Sequence, residues 1–337
     1  MTGPFDEFRD FDYEKELNEK FRDRIPDRIF DTHLHNDFIQ VPPYPSRDDD
    51  PAKDPFFPEW EMRLKELMGK TVQHTGMLLP RGVSIHRPDL KTLNDENFYQ
   101  CKLAAFYGYK AGILIDPSIY TYETLNDFID ECSGVGILKP YLELSCKEDK
   151  FESDIFDFAP LWMWQIAHER KIPVMLHLSH YRNQLDDPAN IRQLRVISRD
   201  YPDAKIILAH CALGHNPYRL KSGLIKIRDL SNVYFDCSGV AEALSIYYVL
   251  KIFGPRRLMY GSDGYNYGIR LNRCFAFGPS FAGLHFALMR PEERGKRVFL
   301  CSSFEGLEAL FAAGEIYGLD REQWEDIFYN NAVRIYE

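Results

Sequence analysis

Eight short apolar runs alternate along this chain with longer amphipathic segments, and no other feature limits the fold as much. The runs are RIFDTHLH (28–35), TVQHTGMLL (71–79), KAGILID (110–116), GVGILK (134–139), IPVMLHL (172–178), AKIILAH (204–210), NVYFDCS (232–238) and RLMYGSD (257–263). Runs of this length and composition read as strands buried on both faces, the condition of a parallel sheet covered by helices. The intervening segments include DENFYQCKLAAFYGYK, PLWMWQIAHERK, PANIRQLRVISRDYP and GVAEALSIYYVLKIFG, two of which open on a proline suited to a first helical turn. Ile191, Leu194, Ile197 and Tyr201 fall at helical spacing and give the third a single buried face. Eight strand-plus-helix units predict an α/β fold, a (β/α)8 TIM barrel; an open doubly wound sheet has about five to seven strands and a glycine-rich phosphate turn. Neither G-x-G-x-x-G nor G-x-x-x-x-G-K occurs.

At 337 residues one barrel domain accounts for 1–337, with an N-terminal arm (1–28), a long loop after strand 1 and extra closing helices (280–337). EKELNEKFRDRI in the arm is helical by composition and stops before Pro26. VPPYPSRDDDPAKDPFFPEW, rich in Pro and Asp, has almost no helical or strand period and reads as a lid.

Composition narrows the setting. No run approaches the ~18 apolar residues of a membrane span, and residues 1–28 lack the apolar core of a secretory signal. Seven cysteines, never closer than 14 residues, suggest neither a metal knuckle nor a disulfide framework, so a reducing cytoplasm is expected. A net charge of −10 without a basic run argues against nucleic acid and anionic membrane as partners. A small molecule is the expected partner, and homo-oligomerisation stays open.

The chemistry is positional. His33 and His35 form H-x-H at the end of the first run, and residues two apart on a strand share a face. His177, His210 and Asp263 end three further runs. In a parallel barrel such ends open onto one face, where active sites of this architecture are built. Imidazoles and a carboxylate gathered there need compensation, and a divalent ion supplies it more economically than a hydrogen-bonded network of structural histidines.

These stretches carry a family resemblance. DTHLH (31–35), VMLHLS (174–179), IILAH (206–210), NVYFDCSG (232–239), YGSD (260–263) and the closing NNAVRIYE (330–337) resemble the amidohydrolase superfamily, specifically its amidohydrolase-2 branch of decarboxylases and lactonase-like hydrolases. The resemblance implies that His33, His35, His177 and Asp263 bind one divalent metal, with zinc expected and Mn, Ni, Co or Fe as alternatives. It also implies that His210 faces the substrate or, in a two-metal site, holds a second ion. Asp263 is then the general base, and His210 steadies an oxyanion or donates a proton to the leaving group. Asp31 either bonds a ligand imidazole from behind or caps the core.

One departure bears on metal number. Two-metal relatives carry a bridging strand-4 lysine in a G-I-K arrangement, whereas this chain reads Gly136-Ile137-Leu138-Lys139. The inserted position is expected to turn Lys139 to the outer face, which favours one ion. Glu143 looks like an ordinary surface acid. Arg81, Arg182, Tyr265, Tyr267, Arg270 and Arg273 fall in loops after strands 2, 5 and 8, where guanidinium groups suit a carboxylate-bearing substrate. His180 and His215 are further candidates for the pocket lining. His74, His86, His168 and His285 read as structural or exposed, and Cys211 and Cys237 as small buried residues.

The expected activity is metal-dependent hydrolysis of a lactone, ester or amide in a small, anionic molecule. The alternative is non-oxidative decarboxylation of an aromatic or unsaturated carboxylic acid; a ligand-binding barrel without turnover is a third reading.

Overall fold

The computed structural model describes residues 11–35, 44–54, 56–80, 86–178, 184–264, 272–278, 280–285 and 300–336. All eight predicted strands are present: β1 (Arg28–His35), β2 (Gln73–Leu79), β3 (Lys110–Ile115), β4 (Val135–Pro140), β5 (Val174–Leu176), β6 (Ile206–Leu208), β7 (Val233–Asp236) and β8 (Leu258–Met259). They form one sheet in sequence order, every pair parallel. The sheet turns back on itself where Thr32 N donates to Tyr260 O at 3.0 Å and Asp263 N donates to His33 O at 2.9 Å. The result is a nearly closed (β/α)8 barrel.

Helices follow the strands because their first turns carry the right caps. Asp89 accepts from Thr92 N at 2.8 Å ahead of Leu90–Phe106, and Asp187 accepts from Ala189 N at 2.7 Å ahead of Pro188–Asp200. Two apolar layers result. Leu34, Leu78, Leu138, Leu176, Leu208 and Phe235 pack outward onto helix residues such as Trp164, Leu194 and Val249. Phe30, Met77, Leu79, Ile137, Met175, Ile207, Ala209 and Met259 fill the inside, together with Ala332, Ile335 and Tyr336 of the last helix, Asn331–Tyr336. The Phe30 and Tyr336 rings stack at 5.4 Å, so the chain's end plugs the barrel floor.

Strand β1 breaks the alternation at a useful place. Phe30 faces in and Leu34 faces out, although four residues along a regular strand would keep one side. A register shift between Asp31 and Leu34 absorbs the difference and leaves His33 and His35 facing the interior.

Three expectations need correction or completion. Residues from 280 onward do not begin as helix: Ser280–His285 pairs antiparallel with Asn272–Phe277 as a hairpin, β9 and β10, before the helix Ser302–Tyr317. The positive φ of Gly278 and the alternation of FAFGPSF were the overlooked turn and strand signals. FFPEW is not loop but opens the helix Phe56–Met68, because a proline is tolerated in a first turn. The expected lid lies partly outside the described residues; its segment 44–54 is tied down by Arg47, which bonds Asp95 at 3.1 Å and lies 3.9 Å over Phe98. The arm helix is present as Phe11–Phe21, where Phe21 stacks on Phe311 at 4.2 Å.

Candidate metal centre

Four imidazoles form a continuous chain of rings at the C-terminal ends of the strands. His35 meets His33 at 4.9 Å between centroids, His33 meets His210 at 4.7 Å, and His210 meets His177 at 5.1 Å. The histidines singled out at three strand ends therefore converge, and Asp263, at a fourth, joins them 3.7 Å from both His33 Nε2 and His35 Nε2.

The ring tautomers follow from their partners. His35 Nδ1 lies 2.9 Å from Pro80 O, a group that only accepts, so Nδ1 carries the proton and Nε2 a lone pair. His33 Nδ1 lies 3.1 Å from Asp236 Oδ2. The other oxygen of Asp236 accepts from Ser238 N at 3.0 Å, from His210 N at 3.2 Å and from Ser238 Oγ. Burial pushes this carboxyl up, but the facing His33 imidazole, His210 and Ser238 outweigh it and hold Asp236 well below the usual carboxylate range. An ionised Asp236 makes His33 Nδ1 the donor, so the His33 lone pair also sits on Nε2.

Those two lone pairs point at each other across 3.1 Å with no proton between them. Burial drives both imidazoles toward the neutral form, and Lys139 adds to the effect. Burial likewise raises the Asp263 carboxyl, against the pull of His210 and His33. Such a set is unfavourable by itself and suits a cation. The point equidistant from donor atoms 3.1, 3.7 and 3.7 Å apart lies about 2.0 Å from each, within the ~2.0–2.2 Å of zinc bonds to nitrogen and carboxylate oxygen. The donors fit a divalent ion.

Local backbone strain places two of these groups. Asp263 has φ +56°, and His210, Cys211, Ala212 and Leu213 run through four consecutive left-handed conformations at φ 55, 50, 61 and 54°. Each costs a non-glycine residue about 1–2 kcal/mol. The turn is held by Gly214 N donating to His210 O at 2.8 Å and by His210 Nδ1 donating to Ser238 O at 2.8 Å, which leaves His210 Nε2 as an acceptor. Strain of this kind collects at functional sites.

Lys139 departs from expectation. It faces inward and is wholly buried, because Ile137 points inside and Lys139 follows it by two. The strand was correctly aligned in sequence, but its inward parity could not be read without the neighbouring strands. Burial brings its amine down to about 8, partly offset by Asp236, Asp263 and Glu143. Glu143 is not a surface acid either: its Oε2 is enclosed, and burial raises its carboxyl.

Asp31 does not touch a ligand imidazole. Its Oδ1 accepts from His33 N at 3.1 Å and Ser262 N at 2.9 Å, pinning β1 to the segment after β8. The carboxylate behind the histidines is Asp236, which sequence reasoning missed although VYFD ends a strand as the other site runs do. His177 packs on Tyr141 as well as His210 and belongs to neither tight donor group, His33–His35–Asp263 or His33–His210–Asp236, found among the described residues. His215 is buried just past the left-handed turn. Arg81, Arg182, His180, Tyr265, Tyr267 and Arg270 lie outside the described residues, and nothing is described of the Arg273 and His285 side chains. His74 is buried 3.8 Å from Asp31, His168 accepts from Asp203 N, and His86 bonds Asp116 at 2.8 Å. Cys211 and Cys237 are buried thiols that burial pushes up, Cys237 to about 12.

With fold and donors in place, the chain can be compared with known proteins. A family model described as amidohydrolase matches residues 150–337, and the chain belongs to that family. It is thus an enzyme of the amidohydrolase superfamily, whose members are metal-dependent hydrolases and decarboxylases. Among solved structures it is similar to 5-carboxyvanillate decarboxylase from Sphingomonas paucimobilis, at TM-score 0.57 and 12% identity over 92% of this chain and 99% of that one. A zinc-bound amidohydrolase from Burkholderia multivorans matches at TM-score 0.53 and 15% identity, over 91% and 98%. A candidate 2-pyrone-4,6-dicarboxylic acid hydrolase from Pseudomonas putida matches at 0.52 and 16%, over 91% and 97%. At these identities the likeness concerns the fold alone. No curated protein matches the chain. No helix among the described residues is long and apolar enough to cross a membrane.

Proposed function

We propose that this protein is a metal-dependent hydrolase that cleaves a lactone, ester or amide bond in a small molecule, with one divalent ion, zinc by preference, on His33, His35, His177 and Asp263. The observation that carries the reading is the pair of unprotonated Nε2 atoms 3.1 Å apart beside the Asp263 carboxylate. When bound, the ion supplies a Lewis acid that activates water and polarises a carbonyl. Asp263 holds the proton taken from the attacking water, and its raised carboxyl suits a group that must accept and release one. His210, whose Nδ1 is committed to Ser238, presents Nε2 to the reacting carbonyl or leaving group. Asp236 keeps His33 in the tautomer that faces the ion.

Lys139 favours a second reading of metal number. Turned inward, it could carry a carboxyl group and bridge to a second ion on His177 and His210. An intact mass higher by one carbon dioxide, with two ions per chain, identifies that state. Turnover of a panel of lactones, esters and amides by the zinc-loaded protein tests the activity. Release of carbon dioxide from aromatic carboxylic acids without water uptake identifies a decarboxylase instead.

A further inference from the structure

One oxygen of Asp31 ties together the two chain segments that carry His33 and Asp263. Its Oδ1 accepts from His33 N at 3.1 Å and from Ser262 N at 2.9 Å, one residue before Asp263. The other oxygen, Oδ2, is enclosed and has no hydrogen-bond partner among the described residues, and the same holds for His74 Nε2, 3.8 Å away. Both side chains are withdrawn from water, at 0% exposure for Asp31 and 5% for His74. Buried polar atoms are as a rule served by a partner, and for these two the nearest group of opposite character is the other.

Strand register explains the approach. His74 pairs with Ile29 and Gly76 with Asp31, so His74 and Asp31 share a face of the sheet, one step apart on neighbouring strands. A Cβ at position 76 would stand 3.2 Å from Asp31 Cβ; glycine leaves that ground open, and the imidazole reaches the carboxylate across it. Tyr109, just before β3, fixes the ring from the far side. Its hydroxyl meets His74 Nδ1, and the two rings cross at 5.3 Å between centroids. A carboxylate oxygen only accepts, so the ring proton belongs on Nε2 and Nδ1 accepts from the hydroxyl. Burial, and then Asp31, push the Tyr109 hydroxyl up, so it keeps the proton it donates.

We propose that His74, held by Tyr109, is a positioning residue for the metal centre. It keeps the Asp31 carboxylate in the orientation that binds both His33 N and Ser262 N, and so sets the 3.7 Å separation of His33 Nε2 and Asp263 Oδ1. His74 acts through Asp31 and touches neither ion nor substrate. The inference deepens the proposed function and rests on its metal reading.

The test is zinc affinity by chelator competition, together with the visible spectrum of the protein loaded with cobalt(II), whose bands follow ligand geometry. His74→Leu is expected to weaken zinc about tenfold and to shift the cobalt bands, the size typical of groups that orient metal ligands. His74→Gln, whose amide N–H stands where Nε2–H stood, is expected to restore the parent's affinity and spectrum. Tyr109→Phe is expected to move both readouts in the direction of His74→Leu, and the double variant to lose less than the two singles combined. A merely structural histidine would lower stability toward urea and move neither readout; that result in His74→Leu overturns the proposal. Should the leucine variant fail to fold, parental affinity and spectrum in Tyr109→Phe overturn it equally. A parent protein that takes up neither ion defeats the metal reading itself, whereas a parent that takes them up beside indifferent variants defeats only the positioning role.

Discussion

His33 Nδ1 meets Asp236 Oδ2 at 3.1 Å, a contact between β1 and β7 that joins residues 203 apart in sequence. Both side chains are essentially enclosed, at 1% and 0% exposure. The carboxylate decides which nitrogen of His33 carries the proton, and so which lone pair points at His35 and Asp263.

Asp236→Asn should therefore act on metal affinity without touching the ion. Removing a partner of this kind typically weakens binding about 10–100-fold. Competition with a fluorescent zinc chelator measures it; an unchanged affinity would show that the tautomer is set by something else.

The converging donors predict about one zinc per chain after purification in zinc. His33→Ala and Asp263→Ala should each abolish uptake and turnover with the barrel intact by circular dichroism. Emission spectrometry counts the ion, and retention of zinc by both variants would refute the donor set.

Lys139 makes a prediction about stability. Its amine is lowered from 10.5 to about 8, so the protonated folded state is penalised. Below pH 8 that penalty is complete; between 8 and 10.5 the unfolded chain holds the extra proton and stability rises with pH. A shift of this size corresponds to about 3 kcal/mol. Chelator-treated Lys139→Met should be more stable than the parent by roughly that amount at neutral pH. The gain should fade as the pH approaches 10.5. Urea denaturation across the range measures it, and a gain that does not vary with pH would refute the assignment.

Gly76 couples the fold to the site. It pairs with Asp31 at the β1 irregularity, and a Cβ there would lie 2.4 Å from Asp31 O. Gly76→Ala must push β1 aside where His33 begins its inward turn. A loss of about 1–3 kcal/mol in stability together with weakened zinc binding is expected. Normal zinc affinity in a destabilised variant would uncouple the two.

Sequence by itself determined the barrel and most of the side chains that converge at its strand ends. Burial on both faces makes parallel strands apolar along their whole length, so eight runs were countable, and polar residues closing such runs stood out. What it could not determine was anything set by a neighbour in space. The irregularity that turns His33 and His35 inward depends on how β1 registers against β2, and the inward face of Lys139 on the closure of the sheet. Asp236 resembled any strand-end acid until β7 was brought beside β1 and its oxygen reached His33. Local patterns carry burial and period; hydrogen-bond partners, tautomers and electrostatic neighbours exist only once distant strands share one axis.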